Sequence, residues 1–489
     1  MLSKSSFVKG LQCHKQLFMY KNHPELTDPV DAAQQAVFDT GHNVGELATR
    51  LFPGGQGIPH EEVDFTRQVE LTKEWIKAGM TTIYEAAFAA GGVFARIDIL
   101  HRGLDGWEIY EVKSSTKVKD VYLSDIAVQY YALEKAGLKV SRACLVTLNS
   151  DYRRQGELEI DKLFTIHDLT ESTRERQPLI VSQVRAMEEM LATGTMPEVD
   201  ISPHCHDPYR CAFFGTCHGG IPQPSVFDLA NLDKRKAYRL YHAGCVTFDQ
   251  IPLHEVGFPQ QVQIQCTLEK SSRIDRPALQ DFLASLWYPL CYLDFETTYM
   301  VAVPIFDGTG PYQQVPFQFS LHIQQEQGGP VEHIEFLTDP TGNPQGDFLA
   351  KLEQSIPTGA CLLAYNMNFE KGRLTELGRQ FPEYRAKIYE WQRNMRDLMG
   401  PFKAREVYSW QQNGSYSIKE VLPALIPEMS YKDLAIADGG AAAAAYLRMR
   451  ASSDAEEIAR LREGLLVYCK LDTFAMVELL TKLHALAAE

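Results

Sequence analysis

The chain has 489 residues, of which 45% are apolar and 23% are charged. This balance is typical of globular proteins and excludes a largely disordered, collagenous or coiled-coil chain. The formal net charge of −15 argues against indiscriminate coating of nucleic acid. It does not exclude a nuclease, because metal-dependent nuclease sites are built from carboxylates.

The length predicts roughly three domains. No apolar run reaches the roughly 18 residues that a membrane-spanning helix needs, so we expect no membrane partner. The N-terminal residues show no apolar stretch followed by a cleavage site, which favours a cytoplasmic location.

The first 150 residues follow the pattern of an α/β unit. Helical spacing over residues 1–50 and 65–80 comes before three strand-like runs, and a helix and a further strand follow. Turns that contain glycine separate the first three strands, as hairpins require. The predicted strands cover residues 82–88, 93–101, 107–114 and 142–149, and the predicted helix covers residues 121–137.

Charged side chains interrupt two of these strands. Asp98 stands inside an otherwise apolar strand, and Glu111 and Lys113 bracket Val112 on the next one. Alternation along a strand places Glu111 and Lys113 on one face, so one hairpin presents all three charges together. Two carboxylates can hold a divalent cation, and a cation with a lysine can polarise a phosphodiester and activate water. The alternative is a surface salt bridge between Glu111 and Lys113.

This pattern resembles the core of PD-(D/E)XK nucleases of the RecB type. The resemblance implies a glutamine on the following helix, which Gln129 matches, and an acid on the first core helix, for which we select Glu46. His42 is a weaker candidate for that position. Glu85, in the strand before Asp98, either supports the metal or pairs with a base.

Three cysteines cluster after this unit. Cys205, Cys211 and Cys217 are each six residues apart, and thiolates gather where a soft metal neutralises them. Three ligands are one short of a four-thiolate site, and Cys13 is the remote candidate for the fourth. RecB-like nucleases of the CRISPR-associated and AddB types are similar, and this resemblance implies a 4Fe–4S cluster that joins the domain ends. The alternatives are Zn²⁺, with His206 as an extra ligand, and buried thiols without a metal.

Residues 176–193 predict a helix that leads into the cysteines, and residues 225–285 predict a polar, helical linker. Within the linker, residues 234–251 combine a helix, a glycine turn and a second helix. This segment is either a helix–hairpin–helix element that binds the DNA backbone or a plain pair of linker helices.

A second α/β series begins near residue 290. Strands are predicted at 290–297, 317–323, 332–337 and 360–366, with helices near 346–355 and 370–380 and a mostly helical remainder. Asp294 and Glu296 lie on one face of the first strand. Glu370 follows the fourth strand, and Tyr468 and Asp472 share one face of a late helix.

These three motifs, in this order, resemble DnaQ-like 3′–5′ exonucleases of the RNase H-like superfamily. The segment that ends at Lys419 also resembles one that is frequent there. The resemblance implies that the four acids hold two Mg²⁺ or Mn²⁺ ions roughly 4 Å apart and that Tyr468 orients the attacking water. Asp397 is either an additional ligand or a backbone cap, and we favour the cap.

The sequence therefore predicts an α/β protein with three parts. These are a RecB-like iron–sulfur nuclease (residues 1–222), a helical linker (223–286) and a DnaQ-like exonuclease (287–489). We expect a metal-dependent nuclease that degrades or trims DNA, single-stranded or with free ends, in repair, recombination or defence. RNA is a further candidate substrate. The alternative is a nucleic-acid-binding or scaffold protein in which one or both sites are inactive.

Overall fold

The computed structural model of the chain describes residues 1–59 and 61–489. It confirms the α/β class, since helices pack on mixed β-sheets. Two compact units are present. The first comprises residues 1–220 and 300–312, and the second comprises residues 221–299 and 313–489.

The first unit is built around a mixed sheet with strand order β2-β3-β4-β5-β6-β7, and β1 pairs with β4. Its strands are β1 (Leu2–Ser3), β2 (Gln56–Gly57), β3 (Thr82–Ala90), β4 (Val93–Arg102), β5 (Trp107–Lys113), β6 (Val140–Leu148) and β7 (Phe164–Asp168). Its helices are α1 (Lys4–Gln12), α2 (His14–Asn22), α3 (Ala32–Ala48), α4 (Phe65–Lys77), α5 (Asp120–Lys135), α6 (Ile160–Leu163), α7 (Thr170–Glu175), α8 (Gln177–Ala192) and α9 (Phe214–His218).

The strands predicted for this unit are confirmed to within two residues at each end. β3, β4 and β5 form an antiparallel meander, and α5 is the crossover that brings β6 parallel to β5. The core between the sheet and its helices is apolar, and α5 is buried along most of its length. This packing places Asp125 and Gln129 of α5 beside Lys113 and Glu111 of β5.

The second unit contains a sheet with strand order β11-β10-β9-β12-β13 and a separate two-stranded sheet of β8 and β14. Its strands are β8 (Ser272–Ile274), β9 (Leu290–Thr297), β10 (Pro316–Gln324), β11 (Val331–Leu337), β12 (Cys361–Ala364), β13 (Met395–Asp397) and β14 (Val407–Ser409). Its helices are α10 (Lys234–His242), α11 (Phe258–Glu269), α12 (Arg276–Ala284), α13 (Pro344–Ser355), α14 (Asn368–Gln380), α15 (Arg385–Asn394), α16 (Gly400–Lys403), α17 (Ile418–Leu425), α18 (Gly439–Ala451) and α19 (Ala455–Ala488).

Two boundaries differ from the sequence prediction. The segment 223–286, predicted as a linker, groups with the second unit, because β8 pairs with β14 and α12 packs on α19. Residues 300–312, predicted as part of the exonuclease domain, group with the first unit, where the Tyr312 hydroxyl donates to the carbonyl oxygen of Ser114 at 2.6 Å.

The predicted helix pair at 234–251 is only half present. α10 ends before Gly244, whose φ of +85° allows the turn, but the chain then forms a short 3₁₀ turn at Phe248–Gln250. The next α-helix, α11, begins at Phe258.

In the described part of the chain, no helix combines the length and the apolar character that crossing a bilayer would require.

Candidate metal and cysteine sites

In the first unit, the predicted residues Lys113 and Gln129 lie against Glu111, which is 1% exposed. The Lys113 ammonium lies 2.8 Å from Glu111 Oε1 and 2.6 Å from Asp125 Oδ2. The Gln129 amide donates to Glu111 Oε2 at 2.7 Å. Asp98 accepts the backbone N–H of Val112 at 2.8 Å, which joins the two strands at this point.

A residue that the sequence analysis missed completes this cluster. Lys4, the first residue of α1, places its ammonium 2.8 Å from Glu111 Oε1, 3.1 Å from Glu111 Oε2 and 3.9 Å from Asp98 Oδ1. The pairing of β1 with the start of β4 carries Lys4 there. No local pattern signals this contact, because Lys4 and Glu111 are 107 residues apart.

The pKa values of Glu111 and Asp98 are shifted in opposite directions. Burial acts to raise the pKa of Glu111, but Lys113 and Lys4 outweigh it and hold the pKa below its usual value. Burial raises the pKa of Asp98 to about 7, and the charge of Glu111 adds to that rise against the opposing effect of Lys4. Glu111 is therefore ionised, and Asp98 is able to hold a proton near neutral pH.

Glu85 lies on β3 opposite Asp98, between the paired residues Tyr84↔Ile99 and Ala86↔Ile97. Its φ of +55° is unusual for a residue with a side chain, and such strained positions concentrate at functional sites. The charge of Glu85 contributes to the raised pKa of Asp98. Glu85 is thus a neighbour of the acids and not of a base.

Glu46, our predicted acid of the first helix, lies on α3, which packs against β5. Glu46 and His42 are exposed on α3, and within the described residues neither side chain makes a polar contact with Asp98 or Glu111. Helix α3 agrees with the predicted helical spacing, and the role of Glu46 stays a prediction. The ammonium of Lys4, on α1, contacts both Asp98 and Glu111.

The four predicted cysteines line one small cavity. Cys13 ends α1, and the other three lie on the loop that leads into α9 and on α9 itself. The Gln12 side chain ties the two segments together by donating to the carbonyl oxygens of His204 (2.8 Å) and Tyr209 (2.7 Å). His204 also lines the cavity, and His206, predicted as the extra zinc ligand, does not.

In the second unit, the four predicted acids converge from three elements. Asp294 and Glu296 lie on β9, Glu370 lies in the first turn of α14, and Asp472 lies on α19. Glu296, Glu370 and Asp472 are 6%, 1% and 7% exposed. Oxygen Oε2 of Glu370 is buried and has no hydrogen-bond partner in the part of the chain that the structure describes.

Burial, and then mutual repulsion, raises the pKa values in this group. The pKa of Asp294 is well above its usual value because of burial and the charge of Asp472. The pKa values of Glu296 and Glu370 are also raised, mainly by burial and next by the charge of Asp294. Burial raises the pKa of Asp472 to about 6, although Tyr431, Lys419 and Tyr468 oppose the rise. Four acids thus share one site with little compensating positive charge.

Two neighbours of these acids were not predicted as site residues. Cys469, next to Tyr468 on α19, has its sulfur 3.7 Å from Asp294 Oδ2. Tyr431 lies beside Tyr468, and the Lys419 ammonium lies over both rings at 5.8 and 5.6 Å. The adjacency of Cys469 to a motif tyrosine was the signal in the sequence that could have identified it.

Asp397 is a backbone cap, as we favoured. Its Oδ1 accepts the backbone N–H groups of Asn366 (3.0 Å) and Met399 (3.1 Å). Asn366 has a φ of +73°, so this cap holds the strained turn between β12 and α14. This turn therefore positions Glu370, in the first turn of α14, at the acidic site of the second unit.

Comparison with known proteins matches one range of the chain, most of which lies in the second unit. Residues 291–417 match a family model described as a domain of unknown function (DUF2779). This range contains Asp294, Glu296 and Glu370 but neither Tyr468 nor Asp472. A search of curated proteins finds no match to the chain.

Proposed function

We propose that this protein is a metal-dependent deoxyribonuclease with two candidate active sites, which degrades or trims DNA ends. One observation carries the proposal most strongly. Four acids converge in the second unit, where burial and neighbouring acids raise the pKa of Asp294, Glu296 and Glu370, and one buried oxygen of Glu370 has no hydrogen-bond partner among the described residues. Buried carboxylates are stabilised by protonation or by a cation, and carboxylate oxygens are the ligands of Mg²⁺ and Mn²⁺.

The residues fit two-metal hydrolysis of a phosphodiester. Bound divalent ions would activate water and stabilise the leaving oxygen. Asp294, Glu296, Glu370 and Asp472 would hold them, and Tyr468 lies beside Asp472, where its hydroxyl can orient the water. The Lys419 ammonium above the tyrosine rings supplies a positive charge for the phosphate.

The first site is built differently. Glu111 is held by Lys4, Lys113 and Gln129, so its oxygens are already satisfied by protein donors. The Lys113 ammonium is placed to stabilise charge on a phosphate, and Asp98 and Glu111 would hold a divalent ion. We therefore expect the second site to bind metal at lower concentrations than the first.

The sheet topologies support the two family resemblances. Counted from β9, the second sheet has the order 3-2-1-4-5 with its second strand antiparallel to the others, and the first acidic motif lies on the central strand. This is the arrangement expected of an RNase H-like core. In the first unit, a meander followed by a crossover helix presents the charges of a PD-(D/E)XK core.

Degradation of end-labelled single-stranded DNA with Mn²⁺ or Mg²⁺ tests the proposal. Glu111→Ala and Asp294→Ala should each remove a separable part of the activity, by about 100-fold or more at the affected site, because each removes a ligand or charge that acts on the phosphate. Strands labelled at the 5′ or the 3′ end resolve the two parts by their products.

Glu353→Ala, an exposed substitution on α13, is the matched control. A double variant as active as the wild type would reject the nuclease. Tight, metal-dependent DNA binding without product would favour the scaffold alternative, and cleavage of a matched RNA alone would reassign the substrate.

The cysteine cavity is part of the same proposal. Four thiols surround it, and a tetrahedral zinc site would place its sulfurs about 3.8 Å apart. Within the described residues, no three ligand atoms of these cysteines lie within 4.8 Å of one another. This wider spacing favours a 4Fe–4S cluster over a single zinc ion.

We expect anaerobically purified protein to be brown and to contain iron and acid-labile sulfide. Cys13→Ser and Cys211→Ser should each lose the colour and destabilise the first unit, because the group joins α1 to the cysteine loop. Cys245→Ser, in the second unit, should keep the colour. A colourless wild-type protein with stoichiometric zinc would contradict the cluster.

A further inference from the structure

The inference concerns Cys469, which lies on α19 between the two motif residues Tyr468 and Asp472. It is fully buried, and its sulfur faces the acids of β9. One ligand atom from each of Asp294, Glu296 and Cys469 lies within 4.8 Å of the others. A single ion could therefore contact all three.

A second observation points to a ligand at the same place. The unpartnered Oε2 atom of Glu370 is buried, and Glu370 is close enough to Asp294 and Glu296 for their charges to affect one another. A buried carboxylate oxygen without a donor is costly unless a cation satisfies it.

Other buried thiols of this unit have different surroundings. Cys291 lies on the opposite face of β9, in the apolar core with Leu293 and Phe295. Its neighbours there are apolar, whereas Cys469 lies against two carboxylates. Burial alone therefore does not explain the position of Cys469.

We propose that Cys469 is a metal ligand, together with Asp294 and Glu296, and that it makes this site prefer a thiophilic divalent ion, such as Zn²⁺ or Co²⁺, over Mg²⁺. The inference rests on the metal site of the proposed function and specifies its ion. Thiolate ligands favour zinc-like metals, whereas purely carboxylate sites suit Mg²⁺ and Mn²⁺. On binding, the thiol proton passes to the buffer and the sulfur lone pair forms the bond to the metal.

Titration of metal-free, full-length protein with Co²⁺ under anaerobic conditions tests this. A thiolate bound to Co²⁺ gives a charge-transfer band in the near ultraviolet. The spectrum of the wild type minus that of Cys469→Ser should contain this band, because both chains share every other cysteine. Cys469→Ser should bind Co²⁺ at least about tenfold more weakly, and its affinity for Mg²⁺ should change much less.

Cys291→Ser is the matched control and should retain the band. Glu296→Gln should lose it, which places the sulfur and the acid on one ion. Cys469→Ala is a second variant, and circular dichroism verifies the fold of each.

Two failures can be told apart. If Cys469→Ser and Cys469→Ala give the wild-type spectrum and affinity while Glu296→Gln weakens binding, the acids hold a metal and Cys469 is not its ligand. If Glu296→Gln and Asp294→Asn also bind Co²⁺ as the wild type does, the metal site itself fails.

Discussion

Replacing Lys4 with methionine is expected to destabilise the metal-free first unit and to increase the stabilisation that a divalent ion gives it. Lys4 donates to both oxygens of Glu111, a side chain that is 1% exposed. Without Lys4, the Lys113 ammonium is shared between Glu111 and Asp125, so one buried negative charge loses its partner, and we expect a loss of about 3 kcal/mol. A divalent ion between Asp98 and Glu111 would replace the missing charge.

Calorimetry in chelator and then in Mn²⁺ measures both effects. The unfolding temperature of Lys4→Met should fall by about 6 °C or more in chelator and should recover in Mn²⁺ by more than the wild type gains. The second unit is common to both chains, so its response cancels in the difference. Lys117→Met, an exposed lysine of the same unit, should behave as the wild type. Equal responses to Mn²⁺ in Lys4→Met and the wild type would show that Lys4 does not compete with the metal.

Asp294→Asn is expected to have the opposite effect on the second unit. It removes one of four clustered like charges, three of them buried, without changing the shape of the side chain, so the metal-free protein should become more stable by about 2 kcal/mol at pH 8. The stabilisation by Mn²⁺ should largely disappear, because a ligand is lost. Glu353→Gln, exposed on α13, is the isosteric control and should change neither quantity.

We also expect the effect of Asp294→Asn on the free energy of unfolding to depend on pH. The pKa of Asp472 rises from 3.8 to about 6 in the folded chain, and those of Asp294 and Glu296 rise as well. The folded state then binds protons more tightly than the unfolded state, so this contribution to stability is complete at low pH and is lost as the pH rises through 6.

The free energy of unfolding of the wild type minus that of Asp294→Asn, measured in chelator, should therefore become more negative from pH 5 to pH 8. Taking the difference removes groups of opposite sign, such as His322, whose pKa burial lowers to about 4. A difference that does not vary over this range would contradict the repulsion among the acids.

The sequence was informative where a local pattern decides the structure. Alternation and glycine turns located β3, β4 and β5, and the apolar run before Asp294 located β9 to the residue. The acids of the second site followed from these strands because the side chains of β9 alternate between faces.

Contacts between segments that are distant in the sequence could not be predicted from local patterns. Lys4 reaches Glu111 through the pairing of two-residue β1 with β4, and so short a strand carries no periodic signal. Residues 300–312 look like a loop of the second sheet but pack in the first unit, since only tertiary contacts decide where an irregular segment lies. Glu46 satisfied the motif but remained exposed, because helix spacing fixes a face and not its partner.

Helix α1 connects the charged cluster of the first unit to the cysteine cavity. It spans about 14 Å, begins at the ammonium of Lys4 and ends at the thiol of Cys13. Because the helix is short and rigid, we expect a displacement of the Cys13 thiol to move the Lys4 ammonium as well. Trimming a dozen or so N-terminal residues, a routine step in recombinant work, would delete an edge strand, a charge partner and a sulfur donor at once.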